Sequence, residues 1–213
     1  MRNSKLAMTA AIVLALIIVG SVGIYYSTLA NNKSPTDGSS GSPTQTMDNL
    51  RVGDYANYTV KEYKNGDVTK EYPITWIVDE GTYNGTDCLV MTVTADTTTT
   101  SKTIIYWYMD KETYQGIAMK SQVYANDTLI SEDESEFSQA AAYIDPQTIV
   151  GQEIITVSAG TFTCDKVVVS DATTSSTTTQ WYNSDVPIVG LVKLETYEAD
   201  QLTTTRELID FSR

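Results

Sequence analysis

The side chains that could carry out chemistry are few in this chain. It contains no histidine, which removes the general base of Ser-His-Asp and Cys-His catalysis and the imidazole ligands of many metal sites. Neither a P-loop nor a G-x-S-x-G nucleophile elbow occurs. We therefore expect a protein that is not an enzyme and that has no catalytic residue, no metal site and no cofactor.

Aromatic side chains are the remaining chemical clue, since the chain has 14 tyrosines and three tryptophans. An apolar cleft rimmed by tyrosine hydroxyls would be typical of a ligand site. The candidate ligand-binding residues are Trp76, Trp107, Phe137, Ala141 and Trp181. The alternative is that the rings only pack in the core and pair across strands.

The two cysteines, Cys88 and Cys164, are candidates for a disulfide. Both lie in strand-like sequence, and 75 residues separate them. Outside the cytoplasm such a pair can oxidise, and the bridge would stabilise the fold by at most about 4–5 kcal/mol. Two separately buried thiols, which behave as small apolar side chains, are the alternative.

Asparagines in N-x-[ST] sequons are candidates for glycosylation, namely Asn57, Asn84 and Asn126. A fourth sequon, at Asn32, is followed by Pro35, which weakens it. Such sequons arise by chance in threonine-rich chains, so they are consistent with glycosylation and indicate nothing more.

An uncharged run of 21 residues, 6–26, follows Arg2 and Lys5. As a helix it would span about 32 Å, close to the ~30 Å hydrocarbon core of a bilayer. Basic residues before a first helix favour a cytoplasmic N-terminus. We predict a cytoplasmic segment 1–5 and a transmembrane signal anchor 6–28 in a single-pass protein of the cell membrane. A cleaved signal peptide is the alternative, although its apolar region is usually about 7–15 residues long.

The remainder divides into a flexible linker, 29–47, and an extracytoplasmic domain, 48–213. The linker is rich in serine, glycine, proline and threonine. Because the first 47 residues hold three basic residues and one acidic residue, the domain keeps 11 basic and 26 acidic residues, a net charge of −15. Such a surface repels nucleic acid, so we expect no nucleic-acid partner.

Alternating apolar and polar residues recur through 48–213 between turn signals. Asn65-Gly66, Asn84-Gly85 and Asn126-Asp127 are hairpin signals. We expect a mainly β fold of about ten strands, a curved antiparallel sheet that forms a half-barrel or open barrel. Residues 104–109 are apolar on both faces, which predicts a central strand covered on each side.

One segment, 134–144, changes to a helical period, with apolar residues at Phe137, Ala140, Ala141 and Ile144. Asp145-Pro146 would end it. We predict one short amphipathic helix that docks on the concave face of the sheet as a partial lid. The acidic residues of 132–136 would lie at its start, where the helix dipole favours negative charge. Their spacing does not match a calcium-binding EF-hand loop.

Three motifs in the last third of the chain resemble a known group of extracytoplasmic β-domains. They are SAGTFTCDKVVV at 158–169, QWYNSDVPIVGLVK at 180–193 and ELIDF at 207–211. Those domains are similar to the lipoprotein-carrier (LolA/LolB-like) half-barrel superfamily. The resemblance implies a strongly curved antiparallel sheet with helices against its concave face, which in the carriers holds lipid acyl chains.

Two functions follow as expectations. The first is a membrane-anchored, extracytoplasmic binding module for an apolar or lipid-like ligand or for an envelope protein. The alternative is a structural or interaction ectodomain of a surface complex, without a small-molecule ligand. A cavity lined by tryptophan and tyrosine would favour the first function, and a concave face filled by side chains would favour the second.

Overall fold

The chain folds into one antiparallel sheet. The computed structural model describes residues 50–136, 149–171 and 174–212, and these form eleven strands and no helix. The strands are β1 (Tyr55–Lys64), β2 (Asp67–Tyr83), β3 (Thr86–Thr98), β4 (Ser101–Met109), β5 (Gly116–Ala125), β6 (Thr128–Glu136), β7 (Ile149–Val157), β8 (Gly160–Asp171), β9 (Ser176–Tyr182), β10 (Leu191–Glu198) and β11 (Gln201–Ser212). The predicted mainly β, antiparallel class is confirmed.

The strand order across the sheet is β6-β5-β4-β3-β2-β1-β11-β10-β9-β8-β7. Two meanders, β1 to β6 and β7 to β11, therefore join through the pairing of β1 with β11. Strands β6 and β7 lie at the two edges of the sheet. The first and last strands of the domain thus meet at the centre, where they are hydrogen-bonded on both sides.

The hairpin turns lie where the sequence predicts them. Asn65 and Gly66 have φ values of 55° and 87°, and Asn84 and Gly85 have values of 50° and 80°. A two-residue turn of type I′ requires positive φ at both positions, which asparagine and glycine tolerate. Because these turns fix the register, they also fix which side chains share a face.

One face of the sheet forms the core, and we call it the inner face. Along β1, β2 and β4 and the second half of β3, buried residues alternate with half-buried or exposed ones, and register pairs them across neighbouring strands. The four residues of β3 from Cys88 to Met91 are all buried. The prediction that both faces of 104–109 are covered is wrong. Ile105, Trp107 and Met109 are buried, whereas the residues between them, including Tyr106 and Tyr108, are only half-buried.

The β7 end of the sheet curls back on itself. Cα atoms of β7 come within 8 Å of β10 and β11, although two and three strands lie between them in the sheet. In a flat sheet β7 would lie about 14 Å from β10 and about 19 Å from β11. The backbone N–H of Ala159 donates to the Leu208 carbonyl at 3.4 Å, and the Phe162 and Phe211 rings lie 6.1 Å apart.

The connection between β9 and β10 adds apolar side chains to this core. Val186, Ile188 and Val189 are 2–8% exposed. The Asn183 N–H donates to the Gly190 carbonyl at 2.8 Å and closes the loop, in which Gly190 has a φ of 70°. The motif around Pro187 therefore has a structural role as a buried turn.

The predicted helix is wrong at its start, because residues 134–136 are the last residues of β6. Cross-strand pairing decides this outcome: Glu134 lies opposite Lys120 of β5, and opposite charges stabilise such a pair. The rest of the predicted helix, with Phe137 and Ala141, lies outside the described residues. So do the predicted anchor and linker, and no helix in the described part of the chain is long and apolar enough to cross a membrane.

Candidate functional site

The predicted ligand-binding tryptophans fill the core instead of lining an open cleft. Trp76 and Trp107 are 1% and 2% exposed, and both lie on the inner face. Trp76 pairs with Val93 and Trp107 pairs with Met91, both of β3. The structure therefore shows these two rings as packing residues, and their binding of a ligand stays a prediction.

The third tryptophan, Trp181, belongs to the core cluster and also contacts charged side chains. Its ring lies 5.6 Å from the Lys166 ammonium and 5.7 Å from that of Lys193, and its indole N–H donates to Glu153 at 2.8 Å. Glu153 also pairs with Lys166 at 2.7 Å. Since Trp181 is only 6% exposed and its polar neighbours bind one another, these contacts tie the edge strand β7 to β9.

A buried arginine gives the inner face a polar centre. Arg206 of β11 is 2% exposed and lies opposite Val60 of β1 and Leu194 of β10. Burial lowers the pKa of its guanidinium, while the hydroxyls of nearby tyrosines, Tyr58 among them, raise it. The Tyr58 hydroxyl donates to the Leu191 carbonyl at 3.0 Å. This centre connects strands within the core.

The side of the sheet opposite the inner face, which we call the outer face, carries a cluster of tyrosines on β2 to β6. We call it the tyrosine face, and its members are Tyr83 of β2, Tyr106 and Tyr108 of β4 and Tyr124 of β5. All four are half-buried, and register places the last three on one face. From Tyr124, which pairs with Lys102, to Tyr108 the face follows β4 for six residues, about 20 Å at about 3.3 Å per residue.

The end of the β2–β3 hairpin bends over the tyrosine face. The rings of Tyr83 and Tyr108 lie 4.9 Å apart at a tilt of 38°. The Tyr83 hydroxyl donates to Glu134 at 2.9 Å and to Glu136 at 3.4 Å, although β3, β4 and β5 separate β2 from β6 in the sheet. Ala118 of β5 lies beneath the bent end of the hairpin and is fully buried.

Hydrogen bonding and burial keep three tyrosines of this face neutral. The hydrogen bond to Glu134, followed by burial, raises the pKa of Tyr83 to about 12. Burial raises the pKa of Tyr106 and of Tyr108. At neutral pH the phenols of Tyr83, Tyr106 and Tyr108 therefore present uncharged rings and hydroxyls that can donate or accept a hydrogen bond.

Charged side chains rim the tyrosine face on the β5 and β6 side. Lys120 binds Glu132 at 3.0 Å, and Gln122 donates to the same carboxylate at 2.7 Å. The hydrogen bond from Gln122, then the contact with Lys120, lowers the pKa of Glu132. Near the start of β4 the Lys102 ammonium lies 5.3 Å from the centre of the Tyr124 ring, opposite it on β5.

Both cysteines are buried free thiols in the structure, one on β3 and the other on β8. Five strands lie between β3 and β8 in the sheet order, and Cys164 belongs to the main core cluster. Burial raises the pKa of Cys164 to about 11, which leaves its thiol protonated at neutral pH. These are the properties of two separate thiols; the bridge stays a prediction.

The sequon asparagines differ in position. Asn84 and Asn126 lie exposed in hairpin turns, whereas Asn57 is half-buried on β1. Their glycosylation stays a prediction. In the described ranges, no group of three or more His, Cys, Asp or Glu side chains is placed to hold a metal ion.

The tyrosine face depends on which strands pair and in which register, and the sequence does not show this. The alternation Tyr106-Trp107-Tyr108 separates the two tyrosines from the tryptophan. That Tyr83 and Tyr124 join them depends on the pairing of β4 with β5 and on the bend of the β2–β3 hairpin. The Y-x-Y alternation was the one signal in the sequence that could have indicated this face.

The chain matches no model of a known protein family and no curated protein. Among solved structures it is similar to a Bacteroides fragilis protein assigned as exported and as having a YmcC-like fold. The two share 13% sequence identity, the match covers 77% of this chain and 97% of that chain, and the TM-score is 0.37. The resemblance to the lipoprotein carriers stays a prediction from the sequence.

Proposed function

We propose that this chain is a membrane-anchored, extracytoplasmic interaction module that binds another protein of the cell envelope through its tyrosine face. The proposal includes the single-pass anchor 6–28, the linker 29–47 and a β-domain, 48–213, curved as a half-barrel. It is a binding function without catalysis. It combines the envelope-protein partner with the interaction ectodomain that the sequence predicts.

The observation that carries the proposal is the clustering of four tyrosines on the outer face of β2 to β6. Tyrosine is enriched at protein interfaces because its ring buries a large apolar area while its hydroxyl stays hydrogen-bonded. The inner face supports the same conclusion. Side chains such as Trp76 and Trp107 already occupy it, which favours the interaction ectodomain over the small-molecule carrier.

Photo-cross-linking in the cell that makes the protein tests this function. A photoreactive phenylalanine analogue in place of Tyr106 should give a discrete cross-linked species in intact cells. The matched control places the analogue at Tyr197, a half-buried tyrosine of β10 in the other half of the sheet. Cross-links of equal yield from both positions, or none from Tyr106, would contradict the proposal.

A further inference from the structure

Carboxylates outnumber the cations on the β5 and β6 side of the tyrosine face. Glu134 and Glu136 accept hydrogen bonds from the Tyr83 hydroxyl and form no ion pair within the described residues. Lys120, the nearest cation across the β5–β6 pair, is bound to Glu132. Lys120 also attracts Glu134, which lies directly opposite it, but this one ammonium faces three carboxylates. Negative charge is therefore in excess beside the Tyr83 and Tyr108 rings, in a domain whose net charge is already −15.

The rings of the same face attract cations independently of these carboxylates. The negative π-face of a tyrosine binds an ammonium or guanidinium group within about 6 Å of the ring centre. Lys102 already occupies this position above Tyr124, at 5.3 Å. Tyr106 offers a further half-buried ring between Lys102 and Tyr108 along β4. It pairs with Lys120 of β5 and Thr92 of β3.

The length of the face along β4 fits an extended segment better than a single small cation. About 20 Å from the Lys102–Tyr124 pair to Tyr108 corresponds to roughly six residues of extended chain at about 3.3 Å per residue. A guanidinium is suited to the site because it is planar, stacks on aromatic rings and donates to a carboxylate through two N–H groups at once.

We propose that the tyrosine face binds an arginine-rich extended segment of its protein partner, with guanidinium groups stacked on the tyrosine rings and bonded to Glu134 and Glu136. This inference rests on the proposed function and names the chemistry of the partner. Negative charge over the rest of the domain would accelerate the encounter and make it dependent on salt.

Titration of the full-length protein in neutral detergent with an acetylated, amidated hexa-arginine peptide tests the inference. The double variant Glu134→Gln/Glu136→Gln should weaken binding at least about tenfold, since charge-assisted bonds become neutral ones. Glutamine still accepts a hydrogen bond from Tyr83, so the hairpin contact is kept. The control Glu112→Gln/Glu198→Gln removes the same charge from two exposed sites and should change the affinity less than twofold.

A second pair of variants separates the rings from the charge. Tyr106→Leu keeps the net charge and should weaken binding about threefold, as loss of one exposed cation–π contact requires. Tyr197→Leu on β10 should have no effect. The inference is wrong if both double variants weaken binding equally, or if Tyr106→Leu binds the peptide as tightly as the wild type does. Either result would show that only general electrostatic attraction binds the peptide.

The same variants distinguish this inference from the proposed function. If Glu134→Gln/Glu136→Gln leaves the Tyr106 cross-link in cells unchanged, the interaction module stands and its partner is not cationic. If the Tyr106 cross-link is absent from the wild type, the proposed function itself fails.

Discussion

Individual polar residues on the inner face stabilise contacts that cross the sheet. Tyr58 is fully buried, and its hydroxyl donates to the Leu191 carbonyl at the start of β10, although β11 lies between β1 and β10. A buried carbonyl that loses its donor carries a desolvation cost of about 1–3 kcal/mol. The hydroxyl is therefore expected to matter more than its small size suggests.

We predict that Tyr58→Phe lowers the free energy of unfolding by about 1–2 kcal/mol, because the Leu191 carbonyl loses its partner. Tyr55→Phe is the control, since the Tyr55 hydroxyl contacts Asp210 in an exposed position. Denaturant titration of both variants in neutral detergent measures the difference. Equal stability of the two variants would show that the buried hydrogen bond contributes nothing.

Gly81 is a position where the sheet admits no side chain without adjustment. It pairs with Cys88, and a Cβ atom added there would lie 2.5 Å from Cγ2 of Val90. Overpacking of this kind typically costs about 1–3 kcal/mol.

We predict that Gly81→Ala destabilises the fold and that Val90→Ala in the same chain restores part of the loss, because it removes the clashing methyl group. Gly151→Ala, where no heavy atom lies within 4 Å of the added Cβ, should be close to neutral. Melting temperatures of Gly81→Ala, of the double variant Gly81→Ala/Val90→Ala and of Gly151→Ala measure these changes in stability. A Gly81→Ala variant as stable as the wild type would refute the close approach.

Charged side chains help to attach the edge strand β7 to the sheet. Strand β7 is tied inward by Glu153, which binds Lys166 and the Trp181 indole. The hydrogen bond from Lys166, then that from Trp181, lowers the pKa of Glu153. A carboxyl whose pKa is lowered by folding stabilises the fold above its unfolded pKa, near 4.5, and that stabilisation is lost as the pH falls through the folded pKa.

We therefore predict that acidification below about pH 4.5 loosens β7 and that Glu153→Gln reduces this acid sensitivity. The neutral amide has no proton to gain and still accepts from the Trp181 indole. Denaturation midpoints at pH 7 and pH 3.5 give the comparison, with Glu198→Gln as the control. The hypothesis fails if the Glu153 variant loses as much stability between the two pH values as the control does.

The strands and turns could be predicted because their signals are local. Alternation marks the inner face at positions such as Met91 and Val93, and Asn84-Gly85 has the composition that its turn requires. The acidic residues of 134–136 could not be assigned, because the same residues suit a helix start and a charged edge strand. Only the pairing of β6 with β5 decides between the two.

Over the whole molecule, the pairing of β1 with β11 is the feature that no local signal indicates. About 150 residues separate partners such as Tyr58 and Leu208, so their contact depends on the completed fold. The tyrosine face has the same origin, since it assembles residues from β2, β4 and β5. The predicted anchor depends on the sequence alone.

Alkaline carbonate extraction of cell membranes tests the anchor at this scale. We predict that the full-length protein stays in the pellet, because the 21 uncharged residues of 6–26 are long enough to span a bilayer. A known single-pass membrane protein of the same cell serves as the control. Release of a shorter species that begins near residue 31 would identify the segment as a cleaved signal peptide instead.

The location of the binding surface is the central claim, and hydroxyl-radical footprinting tests it most directly. The protein is oxidised once in its native membrane and once after purification in detergent, and oxidation at each tyrosine is quantified by mass spectrometry. We predict that Tyr106 and Tyr108 are protected in the native membrane and become more reactive on purification, whereas Tyr197 reacts equally in both. Equal reactivity of Tyr106 and Tyr108 in the two states would contradict the claim that a partner covers the tyrosine face.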